Sequence, residues 1–248
     1  MLHHLQPSVM AVLAGLTMAL CAQSTHAGVV LGATRLVYPA DARQITLALD
    51  NKGDRASLVQ AWIDDGDDAS TPDSAHSPFM LTPPIFRMEA GQSQVLRILH
   101  TGEALPKDRE SLFWLNVYDV PPKAKQAESK NTLQFAFRNR IKVFYRPAGL
   151  PGDANSAASH LRWTREQRDG HTHIRATNPT PYHVSMSAIG LGRGGVRIPD
   201  ANHGPAMLAP MASTTFVFDG QASDATQVHF AIINDHGARH EETAALGK

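Results

Sequence analysis

Apolar and polar residues alternate with a period of two in short stretches along the chain. Ile45, Leu47 and Leu49 bracket Thr46 and Ala48, and the same pattern recurs over residues 95–99, 113–117 and 133–145. Successive side chains of a strand point to opposite faces, so this period predicts strands with one buried face. Pro83-Pro84, Gly91, Pro121-Pro122 and Gly149-Leu150-Pro151-Gly152 punctuate them, and no segment keeps a helical period with caps. The expected fold class is all-β. A sandwich takes about 100 residues, so a chain of 248 residues has room for two. The seam is expected at residues 147–152, where two prolines and two glycines interrupt a strong strand and a polar Asp-Ala-Asn-Ser stretch follows. That places one domain over residues 28–148 and a second over 149–248.

Residues 1–27 are expected to be a secretory leader. An apolar run from Val9 to Ala22 precedes Thr25-His26-Ala27, whose small residues have signal-peptidase spacing, although the front end carries His3 and His4 in place of Lys or Arg. The run is short for a bilayer span and no later segment is longer, so no membrane insertion is expected of the mature chain. The one cysteine, Cys21, lies within the leader behind Leu20, where a lipoprotein signal needs a small residue. A mature chain without cysteine has neither disulfides nor a thiol nucleophile, which suits a β-protein of the bacterial periplasm. Lys+Arg and Asp+Glu both total 23, leaving no net field to attract nucleic acid or an anionic surface.

Sites for chemistry are sparse. Asp64-Asp65-Gly66-Asp67-Asp68 offers hard oxygen ligands but lacks the EF-hand placement of glycine and distal glutamate, and is expected to be a solvated acidic turn. His171 and His173 share one face of an expected strand. They define an alternative reading, a periplasmic metal-binding sandwich, yet no third ligand stands at a zinc spacing. Gly190-Leu191-Gly192-Arg193-Gly194-Gly195 spells a dinucleotide motif without a helix behind it and is expected to be a loop between strands. No nucleophile elbow, Walker loop or zincin helix appears, so the chain is expected not to be an enzyme and to use no cofactor.

The run from Leu133 to Arg146 is about twice the usual strand length. Alternation alone favours a core strand with Leu133, Phe135, Phe137, Ile141, Val143 and Tyr145 pointing inward. The other reading makes its first half an exposed edge that pairs with another protein's unfinished sheet.

Several motifs resemble, in order, the periplasmic pilus-assembly (PapD-like) chaperones. They are Thr34-Arg35 before Tyr38-Pro39, Gln60-Ala61-Trp62, Thr82-Pro83-Pro84-Ile85-Phe86-Arg87, Gly91-Gln92, the run from Asp108 to Asn116 (DRESLFWLN), Pro121-Pro122 and the run from Ile141 to Pro147 (IKVFYRP). Asn178-Pro179-Thr180-Pro181-Tyr182 and Ile233-Asn234-Asp235-His236-Gly237 extend the likeness more thinly into the second half. The resemblance implies two immunoglobulin-like β-sandwich domains arranged in an L. It also implies capture of pilus subunits by donor-strand complementation and their delivery to an outer-membrane usher. Arg35 and Lys142 match the cations that hold a subunit's terminal carboxylate, while Leu133, Phe135 and Phe137 match the residues that fill the subunit's groove. Strict alternation puts Lys142 on the face opposite Phe137, and a bulge or strong twist between Arg138 and Arg140 is expected to reconcile them. Glu110, Arg146 and Asp235 match a charge network across the domain seam. The short polar segment 123–130 and the brief strand before Thr34 match the branch serving rod-like fimbriae. Whether the free chaperone forms a self-capping oligomer is left open by the sequence.

Overall fold

The computed structural model describes residues 28–122, 135–218, 222 and 224–247, with the side chains of 199–202 left aside. The expected leader, segment 123–130 and Leu133 lie outside the described residues.

Although Val95 and Phe137 stay exposed, the alternating stretches fall on strands that turn one apolar face inward, as Leu47 and Leu49 do. In the first half these are β1 (Val29–Leu31), β2 (Arg35–Pro39), β3 (Ile45–Asn51), β4 (Ser57–Asp64), β5 (Phe79–Thr82), β6 (Ile85–Met88), β7 (Ser93–His100), β8 (Ser111–Val120) and β9 (Phe137–Arg146). They build two sheets, ordered β1-β3-β7-β5 and β2-β9-β8-β4-β6. Leu47, Leu49, Leu96 and Ile98 from one sheet pack against Val59, Leu115, Val117 and Val143 from the other. Alternation with one face inward is what an antiparallel sandwich requires.

The second half repeats the architecture with β10 (Arg162–Arg168), β11 (His171–Thr177), β12 (Val184–Arg193), β13 (Val196–His203), β14 (Ala206–Leu208), β15 (Ser213–Phe218), β16 (Gln227–Ile233) and β17 (Arg239–Ala245). Its sheets run β10-β11-β15 and β13-β12-β16-β17, with β14 also paired to β12. A separate core gathers Trp163, Ile174, Ile189, Leu191, Leu208, Phe216 and Phe230. The molecule is thus a two-sandwich β-protein.

Two expectations are corrected. The polar stretch after the seam forms a 3-10 helix, Ala154–His160, which buries Ala157 and Ala158; seven residues are too few to register as a sustained period. The glycine-rich stretch is mostly strand. Gly190, Leu191 and Gly192 lie within β12, and only Gly194 and Gly195, at φ of 57° and 86°, make the turn into β13.

Gly192 is required by its neighbours: an added Cβ would meet His229 Nε2 at 2.3 Å and the Val196 carbonyl at 2.9 Å. Gly204 has open space around it. Gly192→Ala is therefore expected to lose about 1–3 kcal/mol of stability in urea unfolding, while Gly204→Ala stays within about 0.5 kcal/mol.

Candidate functional site

β9 is the strand on which the candidate residues converge. It pairs with β8 without interruption, from Asp119 opposite Phe137 to Ser111 opposite Tyr145. The expected bulge between Arg138 and Arg140 is absent. On its other side β9 pairs in parallel with β2, but only from Arg35 opposite Lys142 to Pro39 opposite Arg146. Among the described strands nothing covers residues 137–141 on that side. The backbone of this half-strand therefore presents an open sheet edge.

The faces of β9 divide the candidate residues. Ile141 and Val143 enter the first core, as alternation predicts. Phe135 and Phe137, which the core-strand reading buries, are 60% and 63% exposed. Their rings lie 6.5 Å apart. Lys142 points the opposite way, and the unbroken register removes any device for turning it. What Phe137 and Lys142 share is the edge between the faces, where a strand added alongside β9 meets side chains from both.

Arg35 and Lys142 are register partners at the point where β2 begins and the open edge ends. Arg35 Nη1 donates to the Ile233 carbonyl at 2.7 Å, and Lys142 Nζ donates to Ser185 Oγ at 2.9 Å. Both bonds cross to the second domain. Burial, and after it the Arg35 charge, pushes the Lys142 ammonium down to about 8. Burial also lowers Arg35, with Asp235 partly opposing it. Two cations are thus held close together and partly desolvated, with no carboxylate in ion-pairing distance of either among the described residues. Such a pair favours an arriving anion.

The seam is built from the rest of that face. Arg146 donates through Nε to Glu110 Oε1 at 2.7 Å and through Nη1 to Asp235 Oδ2 at 2.8 Å. Glu110 is 4% exposed, and its Oε2 accepts from the His183 amide at 2.7 Å. The Phe144 and His183 rings meet at 5.4 Å, tilted by 39°. The Asn178-Pro179-Thr180-Pro181-Tyr182 run closes on itself, with Asn178 Nδ2 donating to the Tyr182 carbonyl at 2.7 Å, and its Pro181 carbonyl accepts from the Glu110 amide at 2.9 Å. Gly237, at φ of 81°, approaches the first domain so closely that a Cβ would meet Thr34 Oγ1 at 2.4 Å. The structure brings Glu110, Arg146 and Asp235 into one network between the domains.

Sequence reading missed a second network. Asp64, expected in a solvated turn, is 0% exposed. Its carboxylate accepts from Arg140 Nη2 and Asn116 Nδ2 at 2.7 Å, and from Ser70 Oγ and the Gly66 amide at 2.8 Å. Burial opposes its charge, and these bonds outweigh it, holding the carboxyl below its ordinary value. Arg138 and Arg140 lie over the rings of Trp62 and Trp114 at 4.9 and 4.5 Å. The available signal was Asp64 at the last position of a strand, directly after the apolar Ala61, Trp62 and Ile63. His171 and His173 sit on β11, and among the described residues no group of three metal-ligating side chains gathers there or elsewhere.

An all-β pair of sandwiches with an open edge, beside two cations that lack a carboxylate partner among the described residues, has the features of proteins that bind by strand addition. The comparisons narrow the class. The chain matches the PapD N-terminal domain of pili and flagellar-assembly chaperones over residues 28–151, and the PapD C-terminal domain of pili assembly chaperones over residues 156–244. It belongs to the PapD family of pilus-assembly chaperones. YadV of Escherichia coli (strain K12), which carries the name of probable fimbrial chaperone, is 40% identical over 243 residues, 93% of this chain and 97% of its own. The Pseudomonas aeruginosa CupB2 chaperone structure aligns with a TM-score of 0.73 at 37% identity, covering 88% of this chain and all of its own. The SafB chaperone, solved in complex with Salmonella enterica SafA pilin, aligns at 0.71 with 28% identity over 91% of this chain and 99% of its own.

Lys142 yields a stability prediction. A lysine whose folded value, about 8, lies below its ordinary 10.5 opposes folding while protonated, and the penalty fades as pH climbs between those values. Lys142→Met is expected to raise the melting temperature of the free protein at pH 7. The advantage should shrink from pH 8 to 10, as followed by thermal denaturation across that range.

Proposed function

We propose that this chain is a periplasmic chaperone of the chaperone-usher pathway. It captures fimbrial subunits by adding the open edge of β9 to their incomplete sheets and passes them to an outer-membrane usher. The observation that carries this reading is the coincidence on one strand of an uncovered edge over residues 137–141, two exposed phenylalanines beside it, and the Arg35–Lys142 pair at its end. Main-chain hydrogen bonds along the edge supply affinity, and Phe135, Phe137 and Leu133 supply groove-filling apolar surface. A subunit's terminal carboxylate seated on Arg35 and Lys142 fixes where pairing begins, which matters because a slip by one residue turns every side chain to the wrong face. The charge network of Glu110, Arg146 and Asp235 holds the second domain against β9, keeping Ser185 and Ile233 behind the two cations. Capture by strand addition is a binding event, needing neither a catalytic group nor a cofactor. The pilin bound by SafB supports the same use of the fold here.

Co-expression with fimbrial subunits tests the reading. Arg35→Ala and Lys142→Ala are expected to remain folded by circular dichroism yet leave subunits degraded in the periplasm, with co-purification reduced at least tenfold. Normal subunit yield from both variants would remove the anchor. Capture is also expected to weaken above pH 8 in titration calorimetry, by up to about tenfold per pH unit, since the carboxylate needs the protonated form of Lys142.

A further inference from the structure

Alternation of apolar and polar residues rejects a strand displaced by one residue, but it does not reject one displaced by two. A two-residue slip, about 6.8 Å along the strand, returns every side chain to its original face. For a strand captured on β9 the slip is a concrete hazard. Arg138, Arg140 and Lys142 stand on one face at two-residue spacing, so a terminal carboxylate meets three cations in a row along the edge.

The three are not equivalent. Arg140 donates to Asp64 through Nη2 at 2.7 Å and to Asp68 through Nη1. Arg138 donates through Nε to Asn116 Oδ1 at 2.8 Å and through Nη1 to the Asp68 carbonyl at 2.9 Å, with its Nη2 at 3.9 Å from Asp64. One face of each guanidinium is covered by a tryptophan ring. Two arginines thus meet two aspartates, and the quartet is neutral. Among the described residues Lys142, whose ammonium also lies 5.6 Å from the Trp114 ring, has the Ser185 hydroxyl as its one hydrogen-bond partner, and Arg35 has the Ile233 carbonyl. Asp235, whose field reaches Arg35, already accepts from Arg146.

We propose that Asp64 and Asp68 set the register of the captured strand: by neutralising Arg138 and Arg140 they leave the Arg35–Lys142 pair as the seat where a chain terminus finds uncompensated charge. This deepens the edge-capture reading and rests on it. The aspartates touch no partner. They act as positioning residues by removing the competing seats, so their loss changes where a strand binds more than how tightly.

The probe is a short synthetic strand peptide of alternating apolar and polar residues, with a free terminal carboxylate and one photo-crosslinking residue, mapped onto β9 by mass spectrometry. The unaltered protein is expected to give one cross-linked position, lost when the peptide ends in an amide. The double variant Asp64→Asn, Asp68→Asn is expected to give a second product displaced by two residues toward Phe137, in amounts comparable to the first. Adding Arg138→Gln and Arg140→Gln should abolish it. The Asp68 side chain is 88% exposed, so Asp68→Asn alone keeps the fold, and it should give a smaller share of the same displaced product even where loss of Asp64 prevents folding. A single unchanged register in both the double and the single variant overturns the proposal. No cross-link to β9 in the unaltered protein removes the edge-capture reading itself, and the register proposal with it.

Discussion

The structure depends on a strand that, among the described residues, is paired along only part of one side. β9 spans ten residues, and β2 takes five of them. Sheet edges normally carry the risk of uncontrolled pairing, and proteins shorten, twist or charge them to limit it. Here the open part is short, regular and continuous with a fully paired ladder to β8. It is therefore held in the extended, evenly spaced geometry that an added strand requires, with no bulge to spoil its register. Ordering such a segment costs about 1–2 kcal/mol per residue in backbone entropy, and β8 has already supplied that order before any partner arrives.

The other half of β9 is fixed by the second domain. Lys142, Phe144 and Arg146 meet Ser185, His183 and Asp235, so alternate residues of one face form the seam. Burying Glu110 and Arg146 has a desolvation cost that their mutual attraction need not exceed, and such networks are better explained by geometry than by net stability. Replacing Glu110 with an apolar residue would leave Arg146 with Asp235 alone and free the His183 amide. The seam thus turns the end of the open edge into a place with defined walls, which two exposed cations on an isolated sandwich would lack.

The all-β fold and its two sandwiches were legible because alternation reports directly which face of a strand is buried. Arg35, Lys142 and the seam triad were legible only through family resemblance, since a basic residue on a strand carries no mark of what lies opposite. The exposure of Phe135 and Phe137 was the hardest to read. Alternation states that residues share a face and says nothing of which of them the opposing sheet covers; here Ile141 is buried while Phe137 is not. Asp64 was misread for a related reason. In a run of four aspartates around a glycine, composition speaks for solvent, while the burial of the first is decided by Arg140 and Asn116, far along the chain.

The same arrangement bears on how an open edge tells a foreign strand from a second copy of the chain. Two copies meeting edge to edge would gain hydrogen bonds over the short uncovered stretch, yet each would bring another Arg35–Lys142 pair, which has no carboxylate in ion-pairing distance among the described residues. Those cations are partly desolvated already, so leaving them unmatched in a closed interface adds to a cost that the free protein bears against water. A strand that ends in a carboxylate relieves that cost while pairing the same backbone groups. On the proposed anchor, discrimination lies less in the exposed phenylalanines, which any apolar surface would satisfy, than in the charge held where β2 begins.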